Sequence, residues 1–255
     1  MSPPCSVHIG VSTGSLPRAR APELVAHTRK SHLTCVDVRV GKGHRWEGDG
    51  IGLGLDTVAE SGLHTAFVGL GAHLGDGTPK DDVPREIGER NLPVKVFCVE
   101  DPDGPEVEAD LARLRSTAPE VWVETHAGGP PIPRLLDLCE ELGLGLVVDT
   151  LGLFRSPGGR RAPDRRLASF TRAIQVKGFD GTTHRHRPLD EHDLEPLYEL
   201  YAAGCTAPWV TVESRAGALE EDARTLKRFL RSTVGARIAQ STEVPVQGQR
   251  EGDTV

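Results

Sequence analysis

Four residues of this chain are placed to hold a hard cation between them. Glu124, Asp149, Gln175 and Glu213 end or nearly end four apolar, β-branched runs: Val121-Trp122-Val123-Glu124, Leu146-Val147-Val148-Asp149, Ile174-Gln175-Val176 and Trp209-Val210-Thr211-Val212-Glu213. Each run is followed by a helix-like segment. If the runs are parallel neighbours in one sheet, the four side chains meet at the same end of it. Three carboxylates and an amide oxygen make a hard-ion ligand set, and three carboxylates brought together without a cation would be driven to protonate. The residues therefore predict one divalent ion, Mn2+, Mg2+ or Co2+, held by Glu124, Asp149, Gln175 and Glu213.

Around that centre stand candidate catalytic and binding groups. His126 lies two residues after Glu124 and so shares its face of the strand. As a neutral imidazole beside a polarised carbonyl it could take a proton from carbon, as could Glu124 or Glu213. Lys177 shares a face with Gln175, and Arg215 with Glu213; either could meet a substrate carboxylate, a phosphate or a developing enolate. His73 after the third strand, and His184, His186 and Arg187 after the seventh, are candidate substrate contacts. Each acid taken alone could instead be a helix cap, and His126 a histidine that only supports its neighbours.

The elements that must position these groups read as an alternation. Strands are expected at Val7 to Ser12, Cys35 to Val40, Thr65 to Leu70, Val94 to Val99, Val121 to Glu124, Gly145 to Thr150, Ala173 to Lys177 and Trp209 to Ser214. Helices are expected from near Pro22 and over 53–61, 84–90, 105–116, 132–142, 194–203 and 219–230. The Gly-, Pro- and Arg-rich 155–166 reads as a long loop. In the second strand Asp37 and Arg39 share the inward face. Eight strands in strict alternation with helices imply a parallel sheet, and at this length a closed (β/α)8 TIM barrel of the α/β class. A single domain over 1–235 is expected, followed by a polar, aperiodic tail over 236–255 expected to be disordered.

At 255 residues, 37% hydrophobic and 26% charged, the chain reads as a soluble globular protein. Its formal charge of −7 argues against general affinity for nucleic acid, and its apolar runs are too short to span a membrane. The N-terminal residues show no secretory pattern, so a cytoplasmic location is expected. The five cysteines are scattered without metal-binding or redox spacing and read as buried thiols. No glycine-rich dinucleotide fingerprint follows a strand.

The successive strand ends Val123-Glu124-Thr125-His126, Val147-Val148-Asp149-Thr150, Ile174-Gln175-Val176-Lys177 and Val210-Thr211-Val212-Glu213 resemble those of the xylose isomerase-like TIM barrels. The resemblance runs over about residues 7 to 231 and is specific from the fifth strand onward. It implies Glu124, Asp149 and Glu213 as metal ligands. Gln175 stands where many sugar epimerases of that superfamily have histidine, and with Glu-Thr-His it is similar to the 3-dehydroshikimate dehydratases, in which the histidine serves as base. The implied activity is isomerisation or epimerisation of a small polyhydroxylated, sugar-like substrate through an enediolate. The alternatives are a metal-dependent dehydratase, and a barrel that has lost catalysis and binds a ligand, the last motivated by Gln175 and Gly178. The expected partner is that small molecule, not nucleic acid or membrane, with a homodimer as one assembly it allows.

Overall fold

The computed structural model describes residues 6–77, 83–102, 104–159, 164–183 and 185–235. Eight parallel strands close a barrel: β1 (His8–Ser12), β2 (Cys35–Arg39), β3 (His64–Leu74), β4 (Val94–Cys98), β5 (Val121–Glu124), β6 (Gly145–Asp149), β7 (Thr171–Val176) and β10 (Trp209–Val212). Each pairs with its neighbour in sequence order, and β10 closes onto β1. The remaining two strands, β8 (Phe179–Asp180) and β9 (Arg185–His186), form a small antiparallel hairpin outside the barrel.

The helices are α1 (Ala21–Lys30), α2 (Ile51–Glu60), α3 (Arg85–Glu89), α4 (Gly104–Arg115), α5 (Ile132–Leu142), α6 (Thr150–Arg155), α7 (Arg165–Phe170), α8 (Glu195–Ala202) and α9 (Leu219–Phe229). Local sequence explains their ends. Pro22 lies in the first turn of α1, and α5 stops where Gly143 turns left-handed at φ 62°. Among the described residues, no helix is long and apolar enough to cross a membrane.

Two apolar layers result. The larger packs the helices onto the outside of the strands, with Leu24, Leu55, Ile87, Leu114, Leu135 and Leu226 among its members. The smaller, of Cys35, Ala66, Phe67, Trp122, Val147 and Ala173 with Trp209 against it, fills the lower barrel interior. Strand alternation then carries the inward face upward from apolar to charged. Trp122 is followed by Glu124, Val147 by Asp149, Ala173 by Gln175 and then Lys177, and Cys35 by Asp37 and then Arg39.

The described part of 155–166 differs from the loop expected there. Helix α6 starts directly after β6, because the Asp149 side chain accepts a hydrogen bond from the Gly152 N–H at 2.7 Å and caps it. Helix α7 is likewise capped by Asp164, which accepts from the Leu167 N–H at 2.9 Å. Residues 236–255, expected as a disordered tail, lie outside the described residues.

Candidate active site

Glu124, Asp149 and Glu213 converge at the C-terminal mouth of the barrel, all at most 4% exposed. Thr125 ties two of their strands together: its hydroxyl donates to the Asp149 carbonyl and accepts from the Asp149 N–H, both at 3.0 Å. The turn at Thr13–Ser15 fixes the third. Ser15 Oγ accepts from the Ser214 N–H at 2.8 Å, and a Cβ on Gly14 would lie 2.9 Å from Glu213 Oε1, so glycine lets the carboxylate lie this close to the turn without shifting.

The three carboxylates are not left facing one another. Lys95 of β4 pairs with Glu124, and Arg39 of β2 reaches Glu213 at 2.5 Å. The Lys177 ammonium bonds Asp149 and lies 2.9 Å from Glu213. Arg215, largely exposed, adds a longer 3.4 Å contact to Glu213. Lys95 is 2% exposed and also lies over the Phe97 ring, 4.2 Å from its centre. Arg39, Gly69 and Lys95 are register partners across β2, β3 and β4. A Cβ on Gly69 would meet Lys95 Cε at 3.2 Å and Arg39 Cγ at 3.6 Å, so glycine leaves room for both long side chains.

This arrangement sets the titration of each acid. Burial pushes Glu124 up, but Lys95, then Lys177 and Arg39, outweigh it and hold it below the usual carboxylate range. Glu213 is driven down to about 2, because Lys177, Arg39 and Arg215 together overcome its burial. Asp149 goes the other way: burial raises it, the Glu124 and Glu213 charges add to that, and Lys177 only partly offsets them. Lys177 is raised despite its burial by Asp149, Glu213 and Glu124, and stays an ammonium.

Next to Asp149 in register lies Gln175, which joins the acids to a further buried polar group. Gln175, with no exposed surface, donates through Nε2 to Asp37 Oδ2 at 3.0 Å, and its Oε1 has no hydrogen-bond partner among the described residues. Burial raises Asp37, while Thr211, Arg39, Ser12 and Gln175 pull it partly back.

The other expected residues make the following contacts. His126 lies against Phe97 and His73, with Nε2 2.9 Å from the Cys98 carbonyl and Nδ1 3.0 Å from the Ala127 carbonyl. His73 stacks on Phe97. Arg187 is bound to Asp193 by two contacts of 2.8 and 3.0 Å and to Asp190 at 2.8 Å, so it braces its own loop. His186 on the hairpin packs edge-on against Phe179, and its titration is lowered by burial and then Arg215. His184 lies outside the described residues. Beside the ring, a cavity of about 480 Å³ opens past Lys177, lined also by Thr150, Phe154, Arg155, Phe179 and His192.

No protein-family model matches the chain, and no curated protein does. Solved structures match along nearly its whole length. A xylose isomerase-like TIM barrel protein from Mycobacterium smegmatis, in complex with magnesium, is 13% identical, with 92% of this chain and 100% of that one covered and a TM-score of 0.56. The chain has the TIM-barrel fold of that structure. The 3-keto-D-glucoside 4-epimerase of E. coli shares that fold at 13% identity, 88% and 98% coverage and a TM-score of 0.60. So does the probable 3-DHS dehydratase AsbF of Bacillus anthracis, at 13% identity, 87% and 99% coverage and a TM-score of 0.60.

In this barrel the donor set does not fit a resident dication as it is arranged. Among the described residues, no three His, Cys, Asp or Glu side chains are grouped to hold a metal. Gln175 Oε1, Asp149 Oδ2 and Asp37 Oδ1 are buried oxygens without a hydrogen-bond partner among the described residues and would suit a metal, yet Asp149 Oδ2 is ion-paired with Lys177 and Gln175 is anchored to Asp37. Each carboxylate is already paired with a cation of the chain itself. A dication among them would sit a few ångströms from the Lys177 ammonium, where a double and a single positive charge about 4 Å apart repel by about 8 kcal/mol at an effective dielectric of about 20. The repulsion that argued for a metal in the sequence is answered here by Lys95, Lys177 and Arg39.

Two of those cations carried a readable signal. Asp37 and Arg39 alternate onto the inward face, and Lys95 alternates with Phe97 inside an otherwise apolar strand. A lysine flanked by two valines in a barrel strand needs a buried anion, and Glu124 on the next strand is it.

Proposed function

We propose that the mouth of this barrel catalyses proton transfer next to a carbonyl of a small polyhydroxylated substrate, giving isomerisation or epimerisation. The observation that carries this reading is the meeting, at one point, of an ammonium able to face an oxygen anion and carboxylates able to take a proton. Lys177 touches Asp149 and Glu213 and borders the cavity. The shared fold of the 3-keto-D-glucoside 4-epimerase supports it.

A substrate in the cavity meets Lys177 first, since the carboxylates lie beneath it. The substrate carbonyl oxygen accepts a hydrogen bond from Nζ, whose charge stabilises the enediolate as it forms. As Lys177 turns to that oxygen it releases Asp149. Asp149, already raised by burial and by its acidic neighbours, becomes the strongest base of the three and removes the proton from the adjacent carbon. Glu213 remains ionised and keeps Lys177 and Arg39 in place. Glu124, paired to Lys95, has the same supporting role in this reading. His126 has both ring nitrogens at backbone carbonyls and takes no part in proton transfer in this reading. Return of the proton to the neighbouring carbon, as the hydroxyl proton passes to the oxygen held by Lys177, gives the isomer. Protonation of the same carbon from its opposite face by water, with Asp149 giving up its proton to solvent, gives the epimer.

Loss of a β-hydroxyl from the same enolate would give dehydration, and the AsbF fold match supports keeping that substrate in the test. Protein is incubated in deuterated water with a panel of ketoses, ketose phosphates and 3-dehydroshikimate and followed by NMR. Deuterium entering a C–H next to a carbonyl without loss of water is the expected result. Net loss of water would replace it with the dehydratase, and no exchange into any substrate would leave a binding protein.

A further inference from the structure

We infer that this barrel holds no resident divalent ion and that the Lys177 ammonium occupies the cation position among Glu124, Asp149 and Glu213. The inference concerns the same ring as the proposed reaction, and metal binding is read without turnover, so either can fail alone.

The geometry is built for internal cations in three places. Lys177 bridges Asp149 and Glu213 from the end of β7. Arg39 holds Glu213 from the opposite side of the barrel mouth, its backbone N–H fixed by Thr13 Oγ1 at 2.9 Å. Lys95 holds Glu124 from below, where at 2% exposure it has no route to water. Gly69 is the gap through which Arg39 and Lys95 both pass. A buried lysine or arginine without an anion is strongly destabilising, so these cations are committed to the carboxylates. If Lys177 alone swung out to solvent, Glu124 would still carry Lys95 and Glu213 would still carry Arg39. An incoming dication would have to compete at both ligands.

The chain thus supplies the positive charge that a metal would bring. The ammonium of Lys177 neutralises the acids at rest and is the group that faces an oxygen anion when substrate enters. Unlike a metal, it offers hydrogen-bond donors only and no open coordination position.

The test is Mn2+ binding to chelator-treated full-length protein, by titration calorimetry and electron paramagnetic resonance, for the wild type, Lys177→Ala and Lys177→Gln. The wild type is expected to show no stoichiometric site up to millimolar Mn2+. Removing the ammonium leaves Asp149 unpaired and Glu213 held only by Arg39 and Arg215, so at least one variant should gain a Mn2+ site tighter than the wild type's by about 100-fold or more. Should a variant be unfolded without metal, the gain is read as recovery of its circular dichroism on adding Mn2+. A stoichiometric Mn2+ site in the wild type overturns the inference. So does failure of both variants to gain binding, because Lys177 would then not be standing in the cation position.

Discussion

Lys177 Nζ lies 2.9 Å from Glu213 Oε2 while it also bonds Asp149, so one ammonium joins the ends of β6 and β10 across the end of β7. These two acids titrate in opposite directions around it: Glu213 is held at about 2 and Asp149 is raised. That divergence separates a permanently charged anchor from a group able to accept a proton.

Asp149→Asn isolates the base. Asparagine caps a helix as well as aspartate does, so α6 keeps its N-terminus and stability should change little. Turnover should fall roughly 100- to 10,000-fold, the usual contribution of a positioned base. Wild-type turnover in this variant would remove Asp149 from the mechanism.

The low value of Glu213 has a signed consequence for stability. Its folded value, about 2, lies below its ordinary 4.5, so its pairing contributes stability that is fully present above 4.5 and is lost as the pH falls toward 2. The shift corresponds to something on the order of 3 kcal/mol for this buried group. In urea unfolding series, the gap between wild type and Glu213→Gln should narrow across that window. A gap independent of pH would mean that Glu213 is not held by its cations. Glu213→Gln should also lose turnover while remaining folded at neutral pH.

Lys95 and Glu124 are buried as a pair, and breaking one side leaves the other charge stranded. Lys95→Met should cost about 3–5 kcal/mol, and Lys95→Met with Glu124→Gln should recover more than half of that. Additive losses in the double variant, measured by urea unfolding, would show that the two side chains do not interact.

Gly69→Val tests the gap between the two cations. Its Cβ alone would press on Lys95 and touch Arg39, and the added methyls would crowd both side chains. A loss of about 1–3 kcal/mol is expected by thermal or urea unfolding. An unchanged stability would mean that the long side chains do not pass over this residue.

The barrel was legible because its alternation is regular: each β-branched run did become a strand, and Glu124, Asp149, Gln175 and Glu213 did fall on consecutive strands at one end. What the sequence left open was the partner of each charge. Lys95 is 29 residues from Glu124 and Arg39 is 174 from Glu213, and only barrel closure makes them neighbours. Asp149 does cap α6, and the cap coexists with the ring because the two carboxylate oxygens face different partners. Helices α6 and α7 were hidden by the Gly-, Pro- and Arg-rich stretch between them, where composition masks two capped turns. His126 followed strand parity only until β5 ended, after which the chain turns and carries its ring to the Cys98 carbonyl.

The most direct measurement is anomalous diffraction from crystals grown with millimolar Mn2+. The account predicts no manganese peak among Glu124, Asp149, Gln175 and Glu213, with Lys177 Nζ within hydrogen-bond distance of both Asp149 and Glu213. A manganese ion ligated by those four residues, with Lys177 turned away, would contradict it.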